Sequence, residues 1–426
     1  MGTSLAGSSA EWRSSWKVVF ASACGMSLVT MPTYTIGIFI APLEAEFGWS
    51  RAQISSVLLA IAIFAVCIGP FVGMAIDRFG PRRIALAGVF MTCGSVALLS
   101  VANASLEQWW ALWCLVAFSG LFTKAAVWFS GVSSLFSANR GMAIGVTLCG
   151  SSIGSALVPL LGNYLIEHHG WRTAYLGIGA AFLLITAPPV LLFFTSAQDR
   201  SRMSRTTGGS ATVAILPGPV AQEAILSLRF VKLALAGFGM TICASSFTIN
   251  LVPILVSNGH SSAAAASMAP VLSLSAMAGR LCTGLLLDRF NANRVAACFI
   301  LTTVIYSLLM LTFPGQIWIT LVAVIVLGVS VGAELDAIAY LVTRHFGLRS
   351  FGVIFATIGG FMAIANGAGP VGISFIYDVS DSYRLALLAS IPVSIVTALL
   401  ILSLGRFPDF GGASPIAARG TATSPD

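Results

Sequence analysis

Between Arg172 and Asp199, and again between Arg294 and Glu334, the chain carries no charged side chain. A helix crosses the hydrocarbon of a bilayer in about 20 apolar residues, so stretches of this length set the solvent in which the chain folds, and that solvent is lipid. Composition agrees: 57% of the 426 residues are hydrophobic and only 9% are charged, against about 45 to 50% and about 25% in an average soluble domain. The apolar stretches do not alternate with period two, which excludes a transmembrane β-barrel.

Twelve stretches of spanning length follow one another, at 17-42, 53-76, 84-103, 108-134, 142-165, 173-195, 230-256, 264-287, 295-313, 317-342, 352-376 and 384-404. They are numbered spans 1 to 12 below. Residues 1-16 are polar, with Glu11, Trp12 and Arg13, and span 1 lacks a small-residue cleavage site, so it reads as a retained helix. Short cytoplasmic loops hold Lys and Arg. With the N-terminus inside, most basic residues fall on the cytoplasmic face, Arg78, Arg82, Arg83, Arg140, Arg289, Arg344, Arg349 and Arg419 among them, and Arg51, Arg172 and Arg384 fall outside. The net charge of +7 is therefore a topology signal, which argues against a nucleic-acid partner. The location expected is a bacterial inner membrane, with both termini cytoplasmic. All eight cysteines lie in the spans without metal-ligand spacing, so they read as packing residues, and neither metal nor cofactor is expected.

The chain repeats itself once. Gly73, Asp77, Arg78 and Phe79 after span 2 return as Gly284, Asp288, Arg289 and Phe290 after span 8, an offset of 211. Arg140 before span 5 is matched to Arg349 before span 11, an offset of 209. Between the halves lies one long polar connection, with Arg200, Arg202, Arg205, Gly208, Gly209, Pro217 and Pro219. The division is a cytoplasmic segment 1-16, a six-helix bundle 17-195, a cytoplasmic linker 196-229, a second bundle 230-406 and a cytoplasmic tail 407-426. Duplicated bundles of this kind mark carriers that bind substrate at the interface of the halves.

The run Gly73-x-x-x-Asp77-Arg78-x-Gly80-x-Arg82-Arg83 resembles the loop 2-3 signature of the major facilitator superfamily. Within it, Phe136, Asn139, Arg140, Ala143, Gly145 and Gly150 resemble the loop 4-5 signature of the monocarboxylate porters, as Gly279-Arg280-x-x-x-Gly284 resembles their span 8. The chain has Ala276 where animal members carry an aspartate, Tyr34 where they carry a lysine, and only Glu11-Trp12 in place of a glycine- and tryptophan-rich stretch. Bacterial porters of that branch, such as those like the oxalate/formate exchanger, are the nearer comparison. The resemblance implies an all-α membrane fold of two pseudo-symmetric six-helix bundles. It also implies that Arg280 contacts a carboxylate, and that Asp77, Arg78, Asp288 and Arg289 latch the cytoplasmic side when the carrier faces outward.

Ionisable residues inside a membrane are costly and mark function. Arg280 in span 8 offers a bidentate fork for a carboxylate, or a permanent partner for an acid of span 10. Lys124 in span 4, read as one turn from Gly120 and Trp128 on a continuous helix, is too deep to snorkel and suits an anion, or a proton that leaves as the site empties. In span 10, Glu334 and Asp336 lie about 200° apart, so one faces the path and the other a neighbouring helix. Asp336, sharing a face with Gly332, Ala333 and Tyr340, is expected to have room for water and to carry a proton, with a static ion pair as the alternative. Tyr34 after Pro32, Asn250 before Pro253 and Asn366 before Pro370 are uncharged substrate candidates at helix breaks.

The expected function is secondary active transport of a small organic anion, a monocarboxylate foremost, by proton symport or anion exchange, in a carrier working as a monomer. The alternatives are an efflux carrier for amphipathic compounds and a non-transporting receptor on a carrier fold. No nucleotide loop, nucleophile triad or metal spacing points to an enzyme.

Overall fold

The computed structural model describes residues 2–199 and 217–408. Arg200, Arg202, Arg205, Gly208 and Gly209 of the linker, and the tail from residue 409 with Arg419, lie outside the described residues, as does the side chain of Arg51. All regular structure among the described residues is helical. Ten helices are long and apolar enough to cross a membrane, and an eleventh span is a pair, Gln53–Cys67 and Gly69–Phe79, bent by 51°. The longest, Arg140–Phe193, holds the stretches of spans 5 and 6 and is two helices meeting at Gly170, whose φ of 79° only glycine adopts without strain.

The first helix runs Gly2–Phe47, so the polar segment 1-16 continues span 1 as helix. That extension is anchored: the Glu11 carboxylate accepts hydrogen bonds from the backbone N–H groups of Ser137, Ala138 and Asn139 and from the Ser137 hydroxyl, and Trp12 meets the Phe136 ring edge-on. In the second half the end of the linker does the same work with carbonyls. Pro217 accepts from the N–H groups of Leu348 and Arg349, and Pro219 from the Ser350 hydroxyl.

Small residues set the helix spacing, as they do where lipid supplies no hydrophobic drive between helices. A Cβ on Gly150 would fall 1.8 Å from the Ala23 carbonyl oxygen, and one on Gly154 would fall 2.4 Å from that of Ser27, so spans 1 and 5 touch backbone to backbone. The Gly150-x-x-x-Gly154 run is thus a packing seam. Across the halves, span 2 packs on span 11 and span 5 on span 8. One hydrophobic core runs through the first half and into the second. The other, around Phe247, Leu255, Leu272, Tyr306 and Leu387, belongs to the second half alone. The halves are joined at the end that carries the Asp77 and Asp288 loops, and among the described residues they share no such core at the opposite end.

Candidate functional site

Span 4 is not one helix. Leu106–Leu121 ends at Phe122, Lys124 adopts an extended backbone (φ −60°, ψ 158°), and a new helix, Ala125–Ser133, begins behind it. No proline or glycine sits at the break. It is held from outside, because Gly88 of span 3 lies so close that a Cβ there would come 2.5 Å from the Phe122 carbonyl oxygen, and because Trp128 Nε1 donates to the freed Thr123 carbonyl at 2.8 Å. The Trp128 ring in turn needs the bare α-carbon of Gly25, where a Cβ would fall 2.3 Å away. This corrects the continuous-helix reading of Lys124.

The break has a chemical consequence. Ala125 and Ala126 open a helix, so their N–H groups have no acceptor within it, and among the described residues no side chain caps them. Lys124, Ala125 and Ala126 line a cavity of about 200 Å³ whose other walls are apolar: Val29, Val72, Leu335, Phe355 and Met362. Those walls come from spans 1, 2, 10 and 11, so the cavity lies between the halves. Lys124 and the positive end of a helix line one mostly apolar cavity, and positive groups of this kind attract anions.

Arg280 and Asp336 meet at the junction of spans 5, 8 and 10, with Glu334 on the same stretch of span 10. A Cβ on Gly332 would fall 2.1 Å from the Ala276 carbonyl oxygen, and one on Gly279 would fall 2.7 Å from that of Val329, so spans 8 and 10 are in backbone contact. Gly145 of span 5 faces the Arg280 carbonyl and the Asp336 carboxylate. Asp336 is 1% exposed, neither of its oxygens has a hydrogen-bond partner among the described residues, and the Arg280 Nε is equally unpartnered. Glu334, on the other side of span 10, is partly exposed and accepts a hydrogen bond from Thr241 of span 7. Both acids lie in the field of Arg280. The expectation that the Gly332 face leaves Asp336 room for water is corrected: span 8 occupies that room. No carboxylate among the described residues lies within ion-pair distance of Arg280 or Lys124.

The two loop signatures meet the opposite half through their aspartates. Asp77 accepts from the N–H groups of Gly352 (2.8 Å) and Val353 (3.0 Å), and Asp288 from those of Gly141 (2.7 Å) and Met142 (2.9 Å). Each carboxylate therefore caps the first turn of a helix in the other half. Arg78 is exposed and lies over the Phe79 ring, and Arg289 is exposed. Arg82, read from sequence as a topology marker, donates to the Leu191 carbonyl at 2.7 Å.

Asn250 is committed to repairing the break in span 7. Its amide donates to the carbonyls of Ser246 and Pro370, and its oxygen accepts from Ser374. Tyr34 and Asn366 are exposed. Thr35 is buried and bonded to Pro32, one turn back on its own helix.

The Major Facilitator Superfamily model matches residues 22–370 and 233–423. An MFS-type transporter of Gibberella moniliformis is 28% identical over 376 residues, 86% of this chain and 84% of the relative. Monocarboxylate transporter 13 of Rattus norvegicus is 25% identical over 398 residues, 92% of this chain and 89% of the relative. The E. coli fucose:proton symporter has the same fold, with a TM-score of 0.71 at 14% identity over 91% of this chain and 98% of its own.

Proposed function

The chain belongs to the major facilitator superfamily, and we propose that it carries a small monocarboxylate across a bacterial inner membrane by alternating access, coupled to a proton or a counter-anion. In this reading the chain crosses the membrane twelve times, as a monomer with both termini in the cytoplasm. It is a transporter and not an enzyme. The observation that carries the substrate reading is Lys124 at the span 4 break, an ammonium without an ion-pair partner among the described residues, beside two orphan N–H groups in an apolar cavity between the halves.

The substrate carboxylate meets the Lys124 ammonium and the Ala125 and Ala126 N–H groups, and its carbon body lies against Val72, Phe355 and Met362. These contacts come from both halves, so binding draws the open outer ends together. Arg280 holds one positive charge among two carboxylates. A proton on one of them leaves the trio neutral, and its departure makes the trio anionic between the halves, which disfavours a bound carboxylate and favours release. Proton and substrate are thus linked through charge. The inward movement then requires the Asp77 and Asp288 caps to open.

Uptake of labelled carboxylates into proteoliposomes, with and without an inward proton gradient, tests the reading. Monocarboxylates with apolar bodies are expected to accumulate, and Lys124→Gln to abolish uptake while the protein still folds. Unchanged uptake by Lys124→Gln would reject the site.

A further inference from the structure

The cytoplasmic face holds a second pair of cations that the transport path does not use. Arg140 opens span 5, and its Nε donates to the Phe136 carbonyl at 3.0 Å, which fixes the guanidinium while leaving its terminal nitrogens without a partner among the described residues. Arg344, in the last turn of span 10, lies 4.8 Å over the Phe407 ring. Between them is an open cavity of about 360 Å³, lined also by Pro217, Thr343, Gly347, Leu348, Phe407 and Pro408. The two acids whose fields reach Arg140 are Asp288 and Glu11. Both are already committed, Asp288 to the N–H groups of Gly141 and Met142, and Glu11 to those of Ser137 to Asn139. Neither forms an ion pair with the arginine.

We propose that this cavity is a regulatory site for a cytosolic oxyanion of the phosphate type, held between Arg140 and Arg344. Two guanidinium forks offer the bidentate donors that a tetrahedral oxyanion accepts. Each is positioned in advance by a contact that costs it no charge. Arg140 belongs to the first half and Arg344 to the second, so the anion completes its contacts only while the cytoplasmic ends are together. By linkage, an anion that prefers this state stabilises it. A high cytosolic oxyanion concentration therefore retains the carrier outward-facing and slows its cycle, and the external substrate affinity is not weakened. The site shares no residue with the Lys124 cavity, so this inference stands apart from the substrate reading.

The test uses the full chain in nanodiscs of zwitterionic lipid, with spin labels on cytoplasmic loops of the two halves. Inorganic phosphate is expected to raise the melting temperature and to shift the closed-to-open ratio about tenfold toward closed, within the usual range of allosteric coupling. Chloride at matched ionic strength should do neither. Arg344→Gln, at an exposed position that tolerates the change, should fold normally and lose the response, and Arg140→Gln should lose it too. A second arm replaces phosphate with nanodiscs of anionic phospholipid. An equal response in wild type and Arg344→Gln, an equal response to chloride, or a response to anionic lipid and not to phosphate would each overturn the proposal.

Discussion

A Cβ placed on Gly73 would fall 2.5 Å from the carbonyl oxygen of Gly352, and one placed on Gly284 would fall 2.6 Å from that of Gly141. Each signature therefore begins with a glycine that lets the opposite half approach, and one turn later supplies the aspartate that caps the helix so approached. Contact and cap are parts of one joint, built twice.

The first prediction concerns the contact. In Gly73→Val the side chain meets backbone that cannot yield without parting the halves, so the cytoplasmic side is held open. Turnover should fall by an order of magnitude or more while the protein still folds, because each half keeps its own packing. Interspin distances across the cytoplasmic loops should lengthen. An unchanged distance distribution would show that the seam is slack.

The second concerns the cap. Asp77→Asn keeps one oxygen for Gly352 or Val353 but removes the charge, and a charge-assisted hydrogen bond is worth about 1.5 to 3 kcal/mol. The closed-to-open ratio should drop roughly tenfold, since about 1.4 kcal/mol is a factor of ten, with turnover reduced more than substrate affinity. Asp288→Asn should match it closely. A large difference between the two variants would argue that the joints do not share the load.

The repeat was legible because Asp and Gly at fixed spacing are needed at both joints. Its register was legible only in part. Matching Arg140 to Arg349 sets the second landmark at 209, whereas the structure sets Gly141 against Gly352 and the cap residue Asn139 against Ser350, with φ of −119° and −120°. The offset is then 211, the same as for the aspartates, and the place of Arg140 is taken by Phe351. What the caps require there is a backbone N–H, which any residue supplies, so charge was a poor guide. The break at Lys124 was illegible for a similar reason. Its causes, Gly88 and Trp128, act on carbonyls, and neither is a helix breaker in its own sequence context.

That break gives a third prediction. Trp128→Phe retains a ring over Gly25 but leaves the Thr123 carbonyl without its donor, a loss of about 1 to 3 kcal/mol for a buried group. The extended turn at Lys124 should relax toward helix and tilt the ammonium away from the cavity. Half-saturation for substrate should rise about tenfold, with a smaller effect on maximal rate. Binding at wild-type affinity by Trp128→Phe would show that the turn is held by packing alone.

The last prediction concerns coupling. A proton taken up must reach its acceptor from water, and Glu334 is partly exposed whereas Asp336 is enclosed at 1%. Glu334→Gln is therefore expected to abolish accumulation against a gradient and to spare exchange of substrate for substrate. Exchange cycles only the loaded carrier, but net uptake needs the empty carrier to release its proton and return. Asp336→Asn removes a charge that faces Arg280 at the junction of the halves, so it should impair exchange and accumulation together. The pH dependence follows the same logic: wild-type accumulation rises as the external medium is acidified, and the Glu334→Gln profile is flat. Lys124 is the competing carrier of the proton. If it titrates, Glu334→Gln retains accumulation and Lys124→Gln loses it, and exchange and accumulation measured side by side in the three variants distinguish the cases.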